Sequence, residues 1–240
     1  ENIKLKEKNS FIKNRVKKDE ELITNILKSN GYYFAEVKTK YKENSNNTID
    51  LIFNINLGDK AFIKKIKFIG DKKFKDRKLR SVIISEEAKF WKFISNRKYL
   101  DIKRIKLDEK LLVNYFKNRG YFDVSVKSSS ARIINESDFE LIFNINSGKK
   151  FNFGNLNLTL PEDYEKKNFV NLESLLSKLE GKVYSLNKIE DILDEIDDIV
   201  LIQEFQFADV KYKEVVKNNN ININFSIKDG DKIYIQRIDI

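Results

Sequence analysis

The 240 residues carry 46 Lys and Arg against 37 Asp and Glu, a formal charge of +9, with no Cys, His or Met. Lack of cysteine excludes disulfides and thiolate metal sites, and lack of histidine removes the usual general base and the commonest metal ligand. The charge is uneven: residues 1–120 hold 31 basic and 16 acidic side chains, residues 121–240 hold 15 and 21, a basic half followed by an acidic half. No run of about 18 apolar residues would span a bilayer as a helix. The absence of methionine even at position 1 leads us to expect a cropped or processed fragment, in which a missing signal peptide says little about compartment.

In chain order, the tail of a short helix is expected near residues 3–8, a helix over 19–30 stopped by Gly31, and a strand entered at 32–37. Residues 49–60, IDLIFNINLGDK, alternate with period two: Leu51, Phe53 and Ile55 on one side, Ile52, Asn54 and Asn56 on the other. After Gly58 a further strand carries Ile63, Ile66 and Phe68 in a fixed register. A short helix is read at 75–85 and a long one at 101–119, with the apolar stripe Ile105, Leu111, Leu112, Tyr115 and Phe116 and a stop at Gly120. Residues 121–126, YFDVSV, read as a strand.

The pattern then recurs. Residues 139–150, FELIFNINSGKK, lead through Gly148 to Phe153, Leu156 and Leu158 at the same offsets. Helices are read at 171–178 and 186–203 and a strand at 205–212, with Glu204 where the earlier copies carry glycine. Residues 221–232, ININFSIKDGDK, lead through Gly230 to Ile235, Ile238 and Ile240. Gly58, Gly148 and Gly230 recur at nearly equal, domain-sized intervals, the mark of tandem small domains. Each repeat has the order β-α-α-β-β. The expected division is 1–59 (first strand missing), 60–149, 150–231, and 232–240 as the first strand of a following repeat. Gly58, Gly148 and Gly230 are the expected domain joints.

A tandem β-α-α-β-β unit ending in an F-x-I-x-x-G strand resembles a POTRA domain. The most specific pieces are YFKNRGYFDVSV at 115–126 and its echo LKSNGYYFAEV at 27–37. Phe90-Trp91-Lys92, Asn96-Arg97-Lys98-Tyr99 and Gly120-Tyr121 make the middle repeat similar to the third POTRA domain of outer-membrane β-barrel assembly factors. Gly181-Lys182-Val183-Tyr184 makes the next similar to the fourth, and by order the first would be the second. The resemblance implies an α+β fold, each domain a three-stranded mixed sheet packed against two helices. It also implies a periplasmic arm at the outer membrane, followed by a C-terminal barrel in the same full-length chain. Its partners would be unfolded outer-membrane proteins and the accessory lipoproteins of the assembly complex. The same generic pattern belongs to arms of dedicated secretion or import transporters.

In such a sheet the last strand is central and the first two are edges, which can accept another strand. The candidate client edge is Tyr121, Phe122, Asp123, Val124, Ser125, Val126 and Lys127, with Val124 and Val126 inward and Ser125 and Lys127 outward. A proline at Ser125 or Lys127 would then remove an edge N–H; the alternative is an inert edge guarded by Lys and Ser. Trp91, Arg97 and Tyr99 are candidate partner contacts, against a reading in which the Phe90–Trp91–Phe93 cluster packs a loop onto the core. Lys72, Lys73, Lys75, Arg77, Lys78 and Arg80 could meet an anionic lipid surface or simply be solvated; the aromatic pattern of a nucleic-acid binder is missing, and no nucleic-acid partner is expected. Glu190, Asp191, Asp194, Glu195, Asp197 and Asp198 follow the polar face of the last long helix and do not have Ca²⁺-loop spacing. No catalytic motif, cofactor site or metal site is read, so no enzyme is expected.

Overall fold

In the computed structural model the described residues are 10–91, 94–135, 137–162, 164–202 and 208–229. The elements are α1 (Lys13–Ser29), β1 (Glu36–Glu43), β2 (Ile49–Asn56), β3 (Phe62–Asp71), α2 (Asp76–Arg80), α3 (Ile102–Lys117), β4 (Ser125–Asn135), β5 (Asp138–Asn146), β6 (Asn152–Thr159), α4 (Val170–Leu179), α5 (Leu186–Ile202), β7 (Ala208–Lys217) and β8 (Asn220–Asp229). The chain divides into two compact units, Glu1–Leu112 with Val126–Asn146, and Val113–Ser125 with Ser147–Ile240.

The first unit holds the two-stranded sheet β1-β2, pairing antiparallel, and the three-stranded sheet β3-β5-β4. The second holds β6-β8-β7, in which β8 pairs parallel with β6 and antiparallel with β7. Both three-stranded sheets are centred on the last strand of the repeat, as expected from the LIFNIN segment. The buried face is the one read from the alternation: Leu141, Phe143 and Ile145 in β5, and Ile223, Phe225 and Ile227 in β8, are at most 2% exposed. In β2, Leu51 and Phe53 are only half-buried and Ile55 is exposed, because fewer elements cover that face among the described residues.

The uneven register of the strand after each glycine has a structural cause. A strand should alternate, yet Ile63 and Ile66, an odd interval apart, are both fully inside. The parallel register to β5 slips between Ile63 and Lys65, and that of β6 to β8 slips between Phe153 and Leu156. Each slip is a β-bulge that absorbs one extra residue and returns the side chains to the core face.

Several expected boundaries shift. α1 begins at Lys13, ahead of the expected start at Asp19, and the helix tail read at residues 3–8 lies outside the described residues. The short helix read at 75–85 has only the five residues Asp76–Arg80; Ile84 and Ser85 instead give their backbone N–H groups to the buried carboxylate of Asp108 on α3. β7 starts at Ala208, and residues 203–207, including Glu204, lie outside the described residues, as do Gly230, Ile235, Ile238 and Ile240.

Candidate functional site

The largest revision concerns the expected client edge. Tyr121, Phe122, Asp123 and Val124 are not in a strand; only Ser125, Val126 and Lys127 of that segment belong to β4. Gly120 ends α3 with φ +92, and the chain folds back so that Tyr121 N–H donates to Phe116 O at 3.1 Å. The apolar letters that mimicked strand alternation are used for packing instead. The ring of Phe122 meets Phe151 at 5.9 Å and Tyr184 at 5.2 Å, both edge-on. Val124 is buried and Val126 half-buried, while Ser125 and Lys127 are exposed.

The same turn makes the same contacts in both places where it occurs. Ala61 N–H donates to Gly31 O at 2.8 Å, and Phe151 N–H donates to Gly120 O at 2.7 Å. Leu100 N–H donates to Ala61 O, and Tyr184 N–H to Phe151 O, each at 3.0 Å. Tyr99 and Val183 are therefore equivalent, and each sits over the motif glycine. A Cβ on Gly31 would stand 2.6 Å from Tyr99 Cγ, and one on Gly120 would stand 2.8 Å from Val183 Cγ1. Asn118 Oδ1 also accepts from Asn187 N–H at 2.7 Å, so the second repeat supplies a cap to the first turn of α5. Gly58 and Gly148 adopt φ of +60 and +67 at the expected joints. Gly31 and Gly120, read in the sequence as helix stops, also hold, through their carbonyls, the residues that follow Gly58 and Gly148.

Tyr99 is thereby moved from candidate partner contact to structural brace: it is 8% exposed, its ring lies 5.3 Å from Phe62, and Lys60 stands 5.0 Å from its centroid. Arg97 is exposed, faces Glu86 at 3.7 Å, and its carbonyl accepts from Glu86 N–H. Trp91 differs from both. It is 58% exposed beside Phe90 at 89%, the two rings edge-on at 4.6 Å, so these two aromatics do not pack their loop onto the core. Phe93 lies outside the described residues.

The first-strand edges are taken up in part by the protein itself. Along β3, Ala88 N–H donates to Ile63 O, Ile66 N–H donates to Glu87 Oε1, Arg80 Nη2 donates to Ile66 O, and Lys72 Nζ donates to Phe68 O. Along β6, Phe153 exchanges bonds with Lys182 and Gly181, and Leu156 N–H donates to Glu180 Oε1 at 2.9 Å. Glu87 and Glu180 thus serve equivalent N–H groups just past the two bulges.

The second-strand edges are different. Thr39 N–H points out from β1 and donates to Glu20 Oε1 of α1 at 2.9 Å; Ser128 N–H points out from β4 and donates to Glu109 Oε1 of α3. Strand N–H groups alternate sides, so Val126 also points outward, whereas Ser125 and Lys127 point toward β5. The expectation that a proline at Ser125 or Lys127 would strip the outer edge is therefore corrected: Val126 is the residue that presents it.

Of the basic cluster, Lys72 pairs with Asp76, Lys73 with Asp71 and Arg80 with Glu87. The acidic residues of α5 are all exposed, opposite the buried Ile189, Ile192 and Ile196. No helix among the described residues is long and apolar enough to cross a membrane.

The model of the POTRA family, described as a surface antigen variable number repeat, matches residues 1–58 and 61–148, and the chain belongs to that family. Among curated proteins it is similar to the outer membrane protein assembly factor BamA of Neisseria meningitidis serogroup B, 22% identical over 208 residues that cover 85% of this chain and 26% of that protein. The BamA of Neorickettsia risticii is also 22% identical, over 81% of this chain and 26% of the relative. The chain thus spans about a quarter of the length of the curated relatives it matches. A crystal structure of POTRA domains 3–5 of Haemophilus influenzae BamA shares the fold, with TM-score 0.56, 17% identity, and coverage of 92% of this chain and 82% of that one.

Proposed function

We propose that this chain is part of the periplasmic arm of an outer-membrane protein assembly factor. The arm holds extended segments of unfolded β-barrel proteins by β-augmentation, docks accessory lipoproteins, and leads to a barrel carried by the same full-length protein. Family membership and the two assembly-factor relatives support this reading. The observation that carries it is the contrast between edges. Much of the first-strand edge of each complete repeat is taken up by the repeat's own loops and side chains, while the edge of the strand after the long helix lies on the outside of the sheet and takes one glutamate bond in the middle repeat and none among the described residues of β7. Backbone pairing along such an edge reads extended conformation rather than a particular sequence, which suits a varied set of clients. The exposed pair Phe90 and Trp91 is the anchor we assign to an accessory protein, since exposed aromatics dominate interface energies. No catalytic role is proposed.

Photo-crosslinking tests the edge. A photoreactive residue placed at Lys213, beside the second-strand edge of the third repeat, should capture urea-unfolded outer-membrane proteins diluted onto the chain, and one at Lys127, beside the edge where Ser128 is bonded to Glu109, should capture them less. One at Asn144, on the solvent face of the central strand β5, should not. Equal capture at all three positions would show that clients bind by some other surface.

A further inference from the structure

The three second-strand edges are not equivalent, and the difference lies in one position of the long helix. Glu20 accepts from Thr39 N–H, and Glu109 accepts from Ser128 N–H, across the same sequence separation. The interval from Glu20 to Gly31 also equals that from Glu109 to Gly120, so both glutamates hold one place relative to their joint glycine. In the third repeat the same interval before Glu204 falls on Leu193, and the step from glutamate to strand N–H, taken from Leu193, falls on Tyr212 of β7. Leu193 packs on the apolar core and has no carboxylate to offer.

Tyr212 N–H points outward. β7 and β8 are joined by the two-residue turn Asn218-Asn219, closed by the pair Lys217 and Asn220. In a two-residue hairpin that closing pair is hydrogen-bonded, so Lys217, Val215, Lys213 and Lys211 face β8, and Val216, Glu214, Tyr212 and Val210 direct their N–H and C=O groups away from it. Among the described residues no side chain takes up these outward groups.

We infer that β7 is the open strand-accepting edge of this chain, and that Glu20 and Glu109 are guards that occupy the corresponding edges of the first two repeats. An incoming strand must displace a charge-assisted hydrogen bond to pair at Ser128, and displaces only water at Tyr212. The occupant is an extended amphipathic segment of an unfolded polypeptide. Its apolar residues lie over the side of β7 that carries Tyr212 and Val216, and its acidic or polar residues meet Lys211, Lys213 and Lys217 on the solvent side, all of them exposed. This inference rests on the strand-addition reading and assigns it a repeat.

The test is amide hydrogen exchange by NMR on the whole chain, with a peptide of about ten residues alternating valine with glutamate or threonine. The peptide should slow exchange at Tyr212 and Glu214 and leave Ser128 unchanged. Leu193→Glu, which installs a guard, should weaken binding. Val216→Pro removes one outward N–H without touching the β8 ladder and should weaken it about threefold to tenfold, a second route should Leu193→Glu disturb the core. Glu109→Ala should add new protection at Ser128. Protection at Ser128 with none on β7 in the unsubstituted chain would overturn this assignment and leave strand addition standing. Binding without protection of any outward edge amide, or no binding, would overturn both.

Discussion

The ring of Tyr99 lies so close to Gly31 that a methyl group on the glycine would stand 2.6 Å from Cγ and 2.7 Å from Cδ1. Gly31 also has φ +98, which an L-residue rarely adopts. Gly31→Ala therefore combines backbone strain with a collision against a ring that is itself held by Phe62 and Lys60. Gly181 separates the two effects, since at φ +74 it has nothing within 4 Å of its missing Cβ. Urea denaturation should show a loss of about 1–2 kcal/mol for Gly181→Ala, from strain alone, and a larger loss for Gly31→Ala. Equal losses would mean that Tyr99 moves aside freely and the joint is softer than its contacts imply.

Trp91 is the sole tryptophan, so intrinsic fluorescence reports one loop. With the side chain 58% exposed, emission should be that of a water-contacting indole and readily quenched by acrylamide. Trp91→Ala should change stability by no more than about 0.5 kcal/mol, the usual range for an exposed side chain. Binding of an accessory lipoprotein at this loop should shift the emission to the blue. An unquenched, blue-shifted indole in the free chain would place the ring in a packed environment instead.

Glu180 and Glu87 receive the N–H groups freed by the two bulges. Glu180→Ala leaves Leu156 N–H, on the side of β6 away from β8, without its partner, a cost of about 1–3 kcal/mol. Glu180→Gln keeps an acceptor and should recover most of that loss in thermal melts. If both variants melt alike, the bulge does not depend on the carboxylate.

The fold was legible where one periodicity dominated. LIFNIN and its copies read as strands with one apolar face, and the second and third copies, β5 and β8, lie at the centre of the two three-stranded sheets. Tyr121, Phe122 and Val124 supply the letters of a strand, while the positive φ at Gly120 turns the chain so that Phe122 packs against Phe151 instead. The short helix was overextended because Val82 and Ile83 continue its apolar spacing; what ends it is Asp108, far along the chain, drawing in the backbone of Ile84 and Ser85. The guards were present in the sequence as glutamates at a fixed interval before a glycine, but charge on a helix face carries no direction until a strand edge is placed beside it.

Asp108 and Glu109 are adjacent on α3, and their carboxyls are pushed in opposite directions. Burial is the leading influence on Asp108 and raises its pKa above the ordinary 3.8, against the pull of its bonds to Ser85 and Ile84 and of Arg104. An acid raised on folding keeps its proton in the native state at pH values where the unfolded chain has lost it. Stability therefore falls as pH rises from about the unfolded value through the folded one. Burial raises Glu109 too, but its bonds to Ser128 and the nearby Lys106 outweigh it and hold the carboxyl below the ordinary 4.5. Its contribution is complete above the unfolded value and is lost as pH falls through the folded one. Melting temperatures between pH about 3 and about 7 should separate the two. The difference between Asp108→Asn and the unsubstituted chain should rise with pH across the window above 3.8, and that for Glu109→Gln should fall with pH across the window below 4.5. A Glu109→Gln difference that does not fall with pH would mean that the hydrogen bond from Ser128 to Glu109 does not persist in solution, and with it the guard on β4.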